Sequence, residues 1–267
     1  MVKSIANPAP MPLCSRILAI ARYTVLEAWR NRSGLVLIGM VIIVFLTSFF
    51  VRQQAITDST RAQVIFLASF LRLGAVFLIA FSVLQGSVRE FQDKVLELML
   101  SLDLPRPAYL TGKFIGYALL CVICAAAVSL PLLLVSEPQD VLKWVFSHTL
   151  ELWVVAALAL FCVTTFSQLL PAAAFVMAFY LLARSIAAIE LISQSTLIEP
   201  GPASGLAAFL AKAISVMLPH LDAFAQTAWL IGATAQPLSI ASAILQTLIY
   251  VSLLLFAAMF DLSRRNF

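Results

Sequence analysis

The sequence predicts an all-α integral membrane protein of six transmembrane helices, and three observations carry that prediction. Hydrophobic residues make up 62% of the 267 positions and charged residues 11%, with a mean hydropathy of +1.01, which leaves too little polar surface to coat a soluble globule. Continuous apolar runs of roughly 17 to 25 residues recur, the length an α-helix needs to cross a hydrocarbon core about 30 Å thick. The runs do not alternate polar and apolar residues, as the strands of a closed β-barrel, the only other spanning solution, must.

Taken in order, residues 15–32 (SRILAIARYTVLEAWRNR) place Ile17, Leu18, Ala21, Val25, Ala28 and Trp29 on one helical face and Arg16, Tyr23, Glu27 and Arg30 on the other. This pattern predicts an N-terminal interfacial helix with its arginines toward anionic lipid; a helix docked on protein is the alternative. The spans run over 34–51, 64–87, 115–135, 144–166, 171–192 and 239–260. The first strongly apolar run starts near Gly34, too late for a short cleavable signal peptide, so 34–51 is expected to stay as an anchor. Pro131 should kink or end span three, and Pro171 fits the first turn of span five. Ala174 with Ala178, and Ala183 with Ala187, have the small-x-x-x-small spacing of close helix packing. The semi-apolar stretch 193–238, broken by Pro200, Gly201, Pro202, Pro219 and Pro237, reads as re-entrant or interfacial short helices. The whole chain, 1–267, is expected to form one membrane domain.

The net charge of +4 does not point to nucleic acid, because the basic residues flank apolar runs rather than share a soluble face. They read as topology signals toward membrane lipids. With the N-terminus inside, the cytoplasmic side carries Lys3, Arg16, Arg22, Arg30, Arg32, Arg89, Lys94, Arg106, Lys113, Arg264 and Arg265, against Arg52, Arg61, Lys143 and Lys212 outside. Both termini are therefore expected in the cytoplasm, in a multi-pass protein of a bacterial inner (cytoplasmic) membrane. Cys121 and Cys124 form C-x-x-C, but inside an apolar run they, like Cys162, read as small hydrophobes.

The most informative stretch is REFQDKVLELMLSLDLPRPAYLTGKFIG, residues 89–116. Its first half patterns as an amphipathic helix, with Glu90, Asp93, Lys94, Glu97 and Ser101 on a polar face and Phe91, Val95, Leu98, Met99 and Leu102 on an apolar one. A short helix tied to two spans can pass the movement of a soluble partner to the membrane; a helix that merely covers the bundle end is the plainer alternative. Leu100, Ser101, Arg106, Tyr109, Leu110, Gly112 and Lys113 match the pattern Leu-Ser-x-Pro-x-x-Arg-x-x-Tyr-Leu-x-Gly-Lys, with Asp103 standing where that pattern has proline. On these residues the segment resembles the type 2 (ABC-2) permeases of ATP-binding cassette transporters, especially the group named for multicopper-enzyme maturation. The stretch before span one and the Ser263, Arg264, Arg265 tail agree with it.

The resemblance implies a homodimer of permeases bound to two copies of a separate ATPase, which would hold the ATP and Mg, while this chain binds no cofactor. It assigns ATPase coupling to Glu90, Phe91, Asp93, Lys94, Glu97, Ser101, Arg106, Tyr109, Gly112 and Lys113, with the 89–102 helix seated in a cleft of the ATPase. Gly112-Lys113 is followed by Phe114 and lacks the earlier glycine of a phosphate-cradling loop, so the chain is not expected to hydrolyse ATP itself. The substrate is not legible, and export is the commoner direction in the family. A non-transporting scaffold or signalling subunit is the first alternative. An intramembrane enzyme ranks below it: His148 and His220 are too few for most metal sites, H-E-x-x-H does not occur, and Ser204 in GPASG misses the nucleophile-elbow spacing. No catalytic or metal-ligating residue is therefore assigned.

Three charges fall deep inside spans. Arg72, Glu151 and Arg184 each lie about 10 to 12 Å from the outer end of their helix at roughly 1.5 Å per residue. A charge at mid-bilayer faces a partner or a water-filled cavity. Glu151 is therefore expected to pair with Arg72 or Arg184 and to line the path or its gate, unless each arginine snorkels outward separately.

Overall fold

Long apolar runs become long helices because in lipid the backbone satisfies its own hydrogen bonds only within a helix or a closed sheet. A computed structural model describes residues 13–55, 58–93, 106–166, 168–193, 209, 212–215, 218–232 and 240–264, and among them every regular element is helical and none is a strand. The order is α1 (Leu13–Arg30), α2 (Ser33–Gln54), α3 (Ser59–Gln92), α4 (Arg106–Ser129), α5 (Pro138–Phe166), α6 (Leu169–Ser193), the short α7 (Thr227–Leu230) and α8 (Ile240–Arg264). Six are long and apolar enough to cross a membrane: α2, α3, α4 with the turn that follows it, α5, α6 and α8. The chain is thus a multi-pass membrane protein by length and composition.

Each of the six helices overlaps one expected span, and the ends differ where polar residues continue the helix. α3 runs through Glu90 and Phe91 to Gln92, with the Asp93 N–H bonded to the Arg89 carbonyl at 2.9 Å. α4 starts at Arg106, nine residues before the expected boundary at 115, and holds Pro107 in its first turn, where a missing N–H costs nothing. Glu90 and Phe91 therefore belong to span two, and Arg106, Tyr109, Gly112 and Lys113 to span three, rather than to a connecting segment. Pro131 does end the regular part of its span: α4 stops at Ser129 and a 3-10 turn, Leu132–Leu134, follows.

α5 is the hub. Most of its residues are buried, and α3, α4, α6 and α8 pack around it; runs of alanine such as Ala156, Ala157 and Ala159 let them approach closely. α2 lies at the outside, against α3, with only Leu37 and Ser48 buried. On α6 the buried stripe is Ala172, Val176, Tyr180 and Ala183. Ala174 and Ala178 are exposed, so that pair does not form the expected seam within this chain, and the side chain of Ala187 lies outside the description.

α1 packs on α4 and on the last turns of α3. Its buried stripe is Ile20, Ala21, Thr24 and Ala28, while Leu18 and Trp29, expected on the apolar face, are exposed. The seam is made by Gly112 and Gly116, one helical turn apart. A Cβ on Gly112 would sit 3.0 Å from the Ile20 Cβ, and one on Gly116 would sit 2.7 Å from the Thr24 Cβ and 2.8 Å from the Ala21 carbonyl oxygen. Backbone approaches this close are what G-x-x-x-G spacing permits. At the opposite end of the bundle, Leu218–Gly232 enters between the helices, burying Leu218, Leu221, Phe224, Ala225 and Leu230.

Candidate functional site

Two polar clusters interrupt the apolar interior. The first lies where the base of α3 meets the base of α4. Ser87 and Glu90 are one turn apart on α3, and Tyr109, Lys113 and Tyr117 recur every four residues on α4, so two polar stripes face each other. Glu90 Oε2 accepts from the Tyr109 hydroxyl and pairs with Lys113 Nζ. Lys113 Nζ also lies 3.4 Å from Ser87 Oγ, and 5.7 and 5.8 Å from the ring centroids of Tyr109 and Tyr117. Glu90 and Lys113 are 4% and 1% exposed, so the ammonium is enclosed by a carboxylate, a hydroxyl and two aromatic rings, the neighbours a buried lysine needs.

Other motif residues surround this lock. Arg106 Nη1 donates to the carbonyls of Leu262, at 3.1 Å, and Ser263, at 2.9 Å, and so caps the end of α8, where the last carbonyls have no helical partner. Phe91 packs against the buried Tyr109 and Leu262. Glu27 of α1 is half-buried beside Gly86; burial, and then the Glu90 carboxylate, push its pKa up from the ordinary 4.5, while Lys113 and Arg89 pull it down.

Of the ten residues assigned to ATPase coupling, the structure therefore brings Glu90, Tyr109 and Lys113 together as a buried lock, sets Gly112 in the α1 seam, and uses Arg106 and Phe91 to hold the last helix. Glu90 does not share an exposed polar face with Asp93, because α3 continues past residue 89 and turns Glu90 toward α4. Asp93 is exposed. Lys94, Glu97 and Ser101 lie outside the described residues.

The second cluster is centred on Glu151, which is fully buried. His148, one turn earlier on α5, places Nδ1 3.0 Å from Glu151 Oε2. From α6, the Tyr180 hydroxyl donates to Oε1 at 2.9 Å, and Arg184 Nη1 reaches the same oxygen at 3.5 Å. The expected pairing with Arg184 is thus present at ion-pair distance. Arg72 takes a different acceptor, the Ala225 carbonyl, at 3.0 Å.

Most of this cluster serves the entering segment. Arg184 Nη1 also donates to the carbonyls of Leu221 and, at 2.8 Å, Phe224. Trp144 Nε1 shares the Ala225 carbonyl with Arg72 at 3.1 Å, and the Ala225 N–H donates to Ser147 Oγ at 3.0 Å. Ala225 holds a left-handed backbone, φ +45°, a conformation an alanine keeps only when its surroundings determine it; here three side chains do. Ser147 lies nine residues along α5 from Pro138, about 13 Å at 1.5 Å per residue, so non-helical backbone sits well inside the bundle, where it is tolerated only if protein satisfies it.

His148, Trp144, Ser147 and Tyr180 form part of this site although sequence reading does not assign them. The legible signal is His148 at i, i+3 from Glu151 inside an apolar run. Separately, α2, α3 and α6 border an apolar cavity of about 700 Å³ lined by Met40, Val44, Phe70, Gly74, Phe77 and Leu181, with Asn31 bonded to Gln85 at 3.1 Å on its wall. Among the described residues, no group of three or more His, Cys, Asp or Glu side chains is placed to hold a metal. In comparisons with known proteins, no family model matches the chain and no curated protein matches it.

Proposed function

We propose that this chain is the membrane-spanning permease subunit of an ATP-binding cassette transporter of type 2, driven by a separate ATPase. The observation that carries the reading is the lock at the base of α3 and α4. The residues matching the permease pattern hold three helices and the end of a fourth together around the ends of the 94–105 connection. A force applied to that connection would reach α3 and α4 as one body, with α1 and α8 attached, which is the mechanical requirement for coupling an ATPase to membrane helices.

In this reading two copies of the chain bind two ATPase subunits that hold ATP and Mg. The termini and the 94–105 connection lie in the cytoplasm of a bacterial inner membrane, and the chain carries no catalytic residue of its own. The Glu151 cluster lies toward the opposite face and holds the entering segment at the path or its gate; export is the commoner direction in the family the chain resembles. Purification of the tagged chain from its native membranes, followed by identification of bound subunits and ATP-turnover assays, tests the proposal. An ATPase with a phosphate-cradling loop is expected at equal stoichiometry, with turnover that falls when Glu97→Lys is introduced into the connection. Wild-type protein isolated intact without any ATPase overturns it.

A further inference from the structure

His148 and Glu151 lie on one side of α5, and neither exposes any surface. The imidazole rests 4.9 Å from the Trp144 ring, and its Nε2 is buried without a partner. A neutral ring that donates Nδ1–H to Glu151 leaves the Nε2 lone pair free to take a proton, with a carboxylate behind it to stabilise the cation. Proton uptake changes the dyad's net charge from −1 to 0, and that negative charge is the one on which Arg184 closes. We propose that the His148–Glu151 dyad is a reversible proton-binding site whose occupancy sets how firmly Arg184 holds the 218–226 segment. The proposal does not require the ATPase partner.

The groups around the dyad give the sign. α6 brings Tyr180 and Arg184, α3 brings Arg72, and the entering segment brings Asp222 beside Arg184, its Oδ1 also buried without a partner. Beyond Tyr117, which faces Lys113 in the other cluster, α4 contributes Cys121 and Cys124, and the middle of α8 Tyr250, as ionisable side chains; Cys121 already bonds the Leu152 carbonyl at 3.6 Å. With His148 neutral, two arginines face two carboxylates. With His148 cationic, three positive groups share the same two carboxylates in a medium of low dielectric. Arg184, whose side chain is 20% exposed, is the cation with a route outward, and its departure frees the carbonyls of Leu221 and Phe224. Acidification therefore loosens the segment.

The chain contains two histidines, so 15N-imidazole labelling in lipid nanodiscs gives two pairs of ring-nitrogen signals, and His220→Gln isolates the pair of His148. The expected result is a single Nδ1–H tautomer at high pH that converts to imidazolium on acidification. With the same midpoint, amide-exchange protection of 218–232 should fall by about tenfold, the equivalent of about 1.4 kcal/mol. Intrinsic exchange rates cancel against His148→Gln at the same pH, and that variant should show no such fall. Glu151→Gln should move the His148 midpoint to lower pH, since the imidazolium loses its carboxylate. A His148 ring that keeps one neutral tautomer throughout overturns the proposal, as does protection that follows the His148→Gln control at every pH. If His148→Gln does not fold, the coincidence of the two wild-type midpoints decides.

Discussion

Lys113 of α4 and Glu90 of α3 form an ion pair sealed from solvent, with Tyr109 donating to the same Glu90 Oε2 and Ser87 beside the ammonium, while Glu90 Oε1 is buried without a hydrogen-bond partner. The pair closes a helix hairpin at its base. A surface pair would hold these helices only weakly, but a buried one makes each partner dependent on the other, because a lone charge there has neither water nor a counter-ion.

Removing one partner should therefore cost more than removing both. Lys113→Met and Glu90→Gln are each expected to destabilise the folded protein by about 3 to 5 kcal/mol, and the double variant by less than the sum. Thermal unfolding in detergent checks this, and additive losses would refute it. Glu90→Lys should bring two ammonium groups together and destabilise the α3–α4 hairpin itself.

The α1 seam makes a graded steric prediction. Gly116→Ala places a methyl group in contact with the Ala21 carbonyl and Thr24 Cβ, neither of which can swing away, whereas Gly112→Ala needs shifts of a few tenths of an ångström. Overpacking of this kind costs about 1 to 3 kcal/mol. Amide exchange over 13–30 should accelerate more in Gly116→Ala than in Gly112→Ala, and equal protection in both would count against the seam.

Glu27 supplies a pH dependence with a defined sign. Burial and the Glu90 carboxylate raise its pKa above the ordinary 4.5 in the folded protein, so the folded state binds more protons than the unfolded one between those two values. Its contribution is present below pH 4.5 and is lost as pH rises through the folded pKa. Docking of α1 should loosen over that window in the wild type and not in Glu27→Gln, as read by proteolysis between α1 and α2. A wild-type profile identical to that of Glu27→Gln would exclude the effect.

The six helices were legible because a spanning helix must be long and apolar, a property of local composition alone. The lock was not, for a reason particular residues make clear. A helical wheel begun at residue 89 puts Glu90 with Asp93 on a polar face, and a polar face in isolation looks solvated. Its true neighbour is Lys113, brought back by the α3–α4 hairpin. The fourfold spacing of Tyr109, Lys113 and Tyr117 was the available clue, because a lysine flanked by tyrosines in an apolar helix needs an anion. Ala174 and Ala178 show the opposite error, since small-residue spacing marks a surface that can pack closely without saying which surface it meets. His148 carries nothing when weighed as a metal ligand, and its meaning comes from Glu151 one turn away.

Sequence depth alone allowed Glu151 to pair with either arginine, and the structure separates them: Arg184 reaches the carboxylate, whereas Arg72 and Trp144 share the Ala225 carbonyl. This division predicts the outcome of double-mutant cycles. Glu151→Gln and Arg184→Met should couple, since either single change strands a buried charge while the double removes both, and an interaction energy of about 0.5 to 3 kcal/mol is expected. Arg72→Met should couple more strongly with Trp144→Phe than with Glu151→Gln, because the first two donors serve one oxygen and losing both leaves the left-handed Ala225 without a carbonyl partner. Thermal stability in nanodiscs, measured for each single and double variant, reads these couplings. Larger coupling of Arg72 to Glu151 than of Arg184 to Glu151 would reverse the assignment and make Arg72 the counter-ion.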